Sequence, residues 1–307
     1  MTPNMLLAFD NVTKLYGPVI GVNDVSCQVG PGITGLLGAN GAGKSTMLKL
    51  ASGQLRPSLG RVRVGPHDAW STAAKRHFGY SPDINSFYEE MTGREFVRVM
   101  ARLCGFSRAE ARDRTEEALA ETGMTDRAER RIAGCSHGMR QRIKLAQALV
   151  ADPPILLLDE PLTGIDPGGR REINALLRRL ADRGKTVLVS SHILVEVEHL
   201  VDSILVIASG RVLASGTLAE IRGLLEDQPF SVEIIADRAR DLAALLVQSA
   251  EVRSIDLRDD ALVIRTRNPA QFFSTLGDLV LAHRFNLHRI ETLDAGADAV
   301  FEYLQKS

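Results

Sequence analysis

The chain has 307 residues, about two domains at roughly 150 residues each. With 45% hydrophobic and 24% charged residues it can bury a core without disulfide or metal staples. A formal net charge of -1, from 37 Lys+Arg against 38 Asp+Glu, argues against a polybasic nucleic-acid binder, though not against a local basic patch. Cys27, Cys104 and Cys135 lie far apart and form no CxxC pair, which fits a reducing compartment and excludes a disulfide framework or thiolate zinc site. Met1–Asp10 lacks the basic region and apolar core of a secretory signal. No run reaches about 18 apolar residues: Val187–Ile207 comes nearest and is broken by Ser190, Ser191, His192, Glu196, Glu198, His199 and Asp202. A soluble intracellular protein is expected, with any membrane role exerted through a partner.

Up to about Gly216, short β-rich runs alternate with helical stretches. Strands are expected at Leu6–Phe9, within Val19–Val29, and at Ile33–Leu37, Arg61–Val64, Phe78–Tyr80, Ile155–Leu158 and Thr186–Ser190. The continuously apolar runs at 155 and 187 suit strands buried on both faces of a parallel sheet. Ser45–Ala51, Gly168–Asp182 and Leu194–Val201 read as helices, so the alternation predicts an α/β sheet. Between Phe87 and Val150 the strand signal disappears. Thr92–Leu103, Ser107–Glu121 and Gly138–Val150 read as amphipathic helices, with Ser107 and Glu110 spaced as a capping box. The charge run Asp126–Arg131 reads as a solvated turn.

A connecting helix is expected within Leu218–Pro229. Beyond it the order is strand Phe230–Ile235, helix Arg238–Gln248, strands Arg253–Leu257 and Ala261–Thr266, helix Pro269–His283, strand Leu287–Thr292 and helix Ala297–Gln305. This β-α-β-β-α-β series predicts a small ferredoxin-like module.

Gly38-Ala39-Asn40-Gly41-Ala42-Gly43-Lys44-Ser45 fits G-x-x-x-x-G-K-[ST], between an apolar strand and a helix. Glycines let successive backbone N–H groups turn toward a phosphate, and the helix start adds partial positive charge. Lys44 would reach the β- and γ-phosphates and Ser45 would sit on Mg²⁺. The alternative is a glycine-rich turn with an incidental lysine. Ile155–Leu158 runs into Asp159 and Glu160 at a strand end, where open α/β sheets bind ligands. Asp159 would hold Mg²⁺ and Glu160 would orient or deprotonate the attacking water, unless the pair merely caps a turn. His192 follows another buried strand and faces the same edge; a structural histidine is an equal reading.

Taken together these segments resemble the ATP-binding cassette (ABC) ATPases over roughly residues 5–220. The cradle, Leu156-Leu157-Leu158-Asp159-Glu160-Pro161 and Ser190-Ser191-His192 carry the resemblance. So do Cys135-Ser136-His137-Gly138-Met139-Arg140-Gln141, where that family has its signature, Leu162-Thr163-Gly164-Ile165-Asp166-Pro167, where it has its D-loop, and Tyr16, where it stacks an aromatic ring on adenine. The resemblance implies nucleotide contacts from Tyr16, Gly38, Ala39, Asn40, Gly41, Ala42, Gly43, Lys44, Ser45, Thr46, Asp83, Ser136, Gly138 and Asp166. It implies catalytic roles for Glu160, His192 and Lys44, and metal contacts from Ser45, Asp159 and Asp83. Two departures stand out: His137 and Met139 replace a glycine and the glutamine of L-S-G-G-Q, and Asp83 follows Gly79-Tyr80-Ser81-Pro82 where the family usually has glutamine.

The implied architecture is a P-loop NTPase α/β core over 1–225, with a helical subdomain at about 84–150, and an accessory α+β module at 226–307. The implied activity is ATP hydrolysis with Mg²⁺ that powers transport. The implied partners are an integral membrane permease and a second ATP-binding subunit, most simply another copy of this chain, closing head-to-tail on two ATP molecules. Phe87, Tyr88 and Glu89 are candidates for the permease contact, although the two aromatics could equally pack the subdomain core. The C-terminal module and the segment 293–301 are similar to cassettes that serve ABC-2 type permeases, which favours export over import. The expected location is cytoplasmic, peripheral on the inner face of the cell membrane. A non-transport ABC ATPase acting on nucleic acid is disfavoured by the single cradle, the short Lys44–Asp159 interval and the neutral charge. A regulatory protein that holds ATP without hydrolysing it is disfavoured by Glu160 and His192.

Overall fold

The computed structural model describes residues 6–84, 86–193, 197–223, 230–258 and 261–293. By its contacts the chain divides into two compact units, Met1–Thr217 and Leu218–Ser307. The first unit opens with β1 (Leu7–Tyr16), β2 (Val19–Val29), β3 (Gly32–Leu37) and α1 (Lys44–Ala51). There follow β4 (Leu59–Val64), β5 (His67–Asp68), α2 (Thr72–Lys75) and β6 (Phe78–Ser81). Three helices come next, α3 (Gly93–Leu103), α4 (Arg108–Glu121) and α5 (His137–Leu149), and then β7 (Ile155–Asp159), α6 (Pro167–Asp182), β8 (Thr186–Ser191), β9 (Ser203–Ala208) and β10 (Arg211–Gly216).

Two sheets form. One is antiparallel, in the order β2-β1-β4-β5; the other runs β10-β9-β3-β8-β7-β6, parallel except for the antiparallel edge strand β10. Every residue of β7 and β8 is buried, as their unbroken apolar runs require. Helix α1 lies between the sheets: Met47, Leu48, Leu50 and Ala51 share one core with Phe9 and Val62 of the antiparallel sheet and Leu157, Leu188 and Leu205 of the parallel one. Burying each such leucine contributes about 1.5–3 kcal/mol, so α1 is fixed from two sides.

Helices α3, α4 and α5 pack on one another. Capping boxes start the first two: Thr92 with Glu95, and Ser107 with Glu110. The charge run 126–131 is exposed apart from Ala128 and includes a short 3₁₀ turn at Thr125–Arg127.

In one region the structure corrects the sequence reading. Residues 197–200 form a turn, whereas Leu194–Val201 reads as a helix; residues 194–196 lie outside the described residues. Val197 and Leu200 are buried, so their spacing reflects packing of the turn onto the core. Strands β9 and β10, absent from the sequence reading, follow at once.

The second unit contains α7 (Leu218–Gly223), β11 (Phe230–Ala236), α8 (Ala239–Leu246), β12 (Val252–Arg258), β13 (Ala261–Thr266), α9 (Pro269–His283) and β14 (Leu287–Thr292). Its sheet runs β12-β13-β11-β14 with every neighbour antiparallel, the ferredoxin-like arrangement. Val232, Ile234, Leu262 and Ile264 of the sheet form a core with Leu242 and Leu246 of α8 and Phe272 and Leu276 of α9. The remainder of the expected connecting helix, 224–229, and the expected helix Ala297–Gln305 lie outside the described residues.

Candidate functional site

Strand register assembles the site. Leu37, the last residue of β3, pairs with Ser191 of β8, and Asp159, the last residue of β7, pairs with Ser190. Three carboxyl-terminal strand ends therefore lie side by side, at the edge where open α/β sheets receive ligands. The loop from Gly38 to Gly43 leaves β3 there and leads into α1.

Gly43 caps α1 with φ 112° and no side-chain cap hydrogen bond. A Cβ at Gly43 would come within 2.6 Å of the Gly21 carbonyl oxygen, so only glycine fits. The first turn of α1 carries no acidic residue, and its uncapped N–H groups remain available to an anion. Lys44 is only 6% exposed. Its Nζ donates to the carbonyls of Gly38 at 2.7 Å and Ala39 at 3.3 Å, and lies 3.5 Å from Glu160 Oε1. Ser45, the second residue of α1, lies close enough to Asp159 to lower its pKa.

Asp159 is 3% exposed, and burial pushes its pKa up against the opposing hydrogen bonds from Ser190 and Ser45. The Ser190 hydroxyl donates to Asp159 Oδ1 at 2.6 Å and accepts the Glu160 N–H at 2.9 Å. Glu160 adopts φ 49°, a left-handed backbone costly for a residue with a side chain and common at functional sites. Its Oε2 accepts from Thr163 Oγ1 at 3.1 Å and lies 2.9 Å from His192 Nδ1. Lys44, the adjacent pair Asp159 and Glu160, and His192, from three distant parts of the chain, thus meet at one edge.

The other predicted residues fall around this cluster or apart from it. Tyr16 ends β1, half exposed, with its hydroxyl 3.5 Å from Thr46 Oγ1 and Lys14 Nζ 5.5 Å from its ring centre. Asp83 is exposed just past β6, close enough for its charge to raise the Asp159 pKa further. Ser136 caps α5, accepting from the Met139 N–H at 3.3 Å, and a Cβ on Gly138 would meet open space. Asp166 caps α6, accepting from the Gly169 N–H at 3.1 Å. Phe87 and Tyr88 part company: Phe87 packs edge-on against Phe96, whereas Tyr88 is 63% exposed. Glu89 forms a two-pronged ion pair with Arg140 of α5, at 2.6 and 2.9 Å.

Four residues make supporting contacts that sequence reasoning does not reveal. Ser190 bridges the two carboxylate positions, Thr163 holds Glu160, and His137 contacts the Thr163 carbonyl at 2.8 Å. Lys144 of α5 is 2% exposed and donates to the carbonyls of Pro82 and Asp83 at 2.8 and 2.9 Å. A lone lysine between Ile143 and Leu145 was the available signal.

The ABC transporter family matches residues 22–163. The chain is 35% identical to the daunorubicin/doxorubicin resistance ATP-binding protein DrrA of Streptomyces peucetius, over 92% of this chain and 87% of that protein. It is 36% identical to the Nod factor export ATP-binding protein I of Paraburkholderia xenovorans, over 81% of this chain and 84% of that protein. Among solved structures, an ATP-binding subunit of an ABC transporter superposes with TM-score 0.66 at 31% identity, covering 72% of this chain and 93% of that one. A dimeric cassette in a post-hydrolysis state bound to ADP and Pi superposes with TM-score 0.64 at 26% identity, covering 69% of this chain and 98% of that one. The chain belongs to the ATP-binding, ATP-hydrolysing subunits of ABC transporters.

Proposed function

We propose that the chain powers export through an ABC-2 type permease, bound peripherally at the inner face of the cell membrane. The relatives named for drug resistance and Nod factor export support the direction of transport. Among the described residues no helix is long and apolar enough to cross a membrane, so the cargo path would be built by the partner. The observation that carries the hydrolytic reading is the convergence of Lys44 and His192 on the Glu160 carboxylate.

In this reading two copies close head-to-tail. Each triphosphate lies between residues 38–46 of one chain and Ser136 and Gly138 of the other, with Tyr16 against the base and Asp166 in the loop that meets the partner. Lys44 binds the β- and γ-phosphates. Glu160 orients the attacking water and takes its proton. His192, held by Nδ1 on Glu160, contacts the γ-phosphate through its other ring nitrogen.

Ser45 and Asp159 would hold Mg²⁺, with Asp83 near its water shell. A buried carboxylate whose ionised form burial disfavours, beside the serine that would share the cation, fits that ion. Mg²⁺ is commonly held by one or two protein oxygens together with the substrate's phosphates. Bound Mg²⁺ would neutralise charge on the transferred phosphoryl group.

The test is Glu160→Gln in the full chain with Mg-ATP. Retained ATP, a trapped dimer and lost turnover are expected; turnover at the unsubstituted rate would overturn the assignment of the base.

A further inference from the structure

The geometry points to His137 as a positioning residue that ties the signature segment to the hydrolytic carboxylate of the same chain, an inference that rests on the head-to-tail reading above. His137 is the first residue of α5, directly after Ser136. Its Nε2 lies 2.8 Å from the Thr163 carbonyl oxygen. A carbonyl can only accept, so Nε2 carries the proton and donates. The ring lies against Gly164, where an added Cβ would come within 3.0 Å of His137 Cδ2 and Nε2. The hydroxyl of the same Thr163 donates to Glu160 Oε2 at 3.1 Å, the oxygen that also meets His192 Nδ1. A second, longer tie runs from Gln141 Nε2, one turn along α5, to the Glu160 carbonyl at 3.5 Å.

The path from α5 to the carboxylate is therefore short: imidazole, Thr163 carbonyl, Thr163 hydroxyl, Glu160. In the head-to-tail dimer the start of α5 reads one nucleotide and Glu160 serves the other. A shift of α5 as it docks on the partner's triphosphate would move Thr163, and with it the carboxylate of the chain's own site. A glycine at 137 could not make this link, which gives the departure from the family signature a physical role.

Mixed dimers of the full chain test the link. One chain keeps Glu160 and the other carries Glu160→Gln, so a single composite site turns over. His137→Ala in the chain that keeps Glu160 is expected to lower kcat about fivefold, the scale of one lost hydrogen bond, with KM for ATP unchanged. The same substitution in the Glu160→Gln chain, whose signature completes the working site, is expected to change kcat less than twofold. His137→Gln keeps an N–H donor and should restore the rate; His137→Phe keeps a ring without the donor and should not. A loss that follows the other chain, falls equally on both, or is absent overturns the coupling. If Glu160→Gln chains with intact His137 fail to pair with Mg-ATP, the dimer reading itself falls, and the coupling with it.

Discussion

The Ser190 hydroxyl stands 2.6 Å from Asp159 Oδ1 and donates to it, while accepting the Glu160 N–H at 2.9 Å. One side chain from β8 thus fixes both carboxylate positions at the end of β7. Ser190→Ala removes a fully buried hydroxyl, leaving the Glu160 N–H without that acceptor and Asp159 with one donor fewer. The expected cost is about 1–3 kcal/mol of stability by urea denaturation. ATP turnover should fall about tenfold or more, because the left-handed backbone at Glu160 loses a restraint. Unchanged stability and turnover would show that the bridge is dispensable.

The parts legible from sequence are those written contiguously. The cradle carries its glycines, lysine and serine in one run between a strand and a helix, and β7 and β8 announce burial by unbroken apolar stretches. The region after His192 misleads for a physical reason. Val197 and Leu200 are apolar because they cover the core, and that spacing imitates one helical turn. The second layer of the site is illegible because its partners are distant in the chain: Ser190 meets Asp159 across 31 positions, Lys144 meets Pro82 across 62, and His137 meets Thr163 across 26. Sheet register and the docking of α5 bring these together, and neither is encoded locally.

Lys144 places a buried ammonium beneath the loop carrying Asp83. Burial lowers its pKa, and the charges of Asp83 and Asp159 oppose that shift. Lys144→Met deletes two donors to the loop and the cation facing those carboxylates. A rise of about fivefold or more in KM for Mg-ATP is expected. In an Asp83→Asn background the same substitution should cost less, with a coupling of about 0.5 kcal/mol or more in the double-mutant cycle. Simple additivity would show that Lys144 acts only through the loop's backbone.

Asp202, just before β9, ties β3 to α6. Its carboxylate accepts the Ile33 N–H of β3 at 2.8 Å and pairs with Arg178 of α6 at 2.7 Å. Burial raises its pKa, but the Arg178 and Ile33 hydrogen bonds outweigh burial and hold it below the usual value. A depressed carboxylate contributes stability above its unfolded pKa of about 3.9, and that contribution is lost as pH falls through the lower folded value. Asp202→Asn should therefore cost about 1 kcal/mol at pH 7, discounted for the pair's exposure to water. The gap between the variant and the parent should narrow below about pH 4. Denaturation midpoints from pH 3 to pH 7 would check this, and a gap constant with pH would remove the ionic part of the argument.

Tyr16 is the remaining test of where the base lies. Its ring packs on Gly21, where a Cβ would come within 2.6 Å of Tyr16 Cε2, and Lys14 Nζ lies 5.5 Å from its centre. A base stacked on that ring would gain about 1–3 kcal/mol. Tyr16→Ala should thus weaken ATP binding by about tenfold or more, and Tyr16→Trp should keep it. Inorganic tripolyphosphate carries the same phosphate chain without a base, so its affinity should be the same in all three proteins. Equal losses for ATP and tripolyphosphate would mean that Tyr16 supports the cradle through its 3.5 Å approach to Thr46, and that the adenine is held elsewhere.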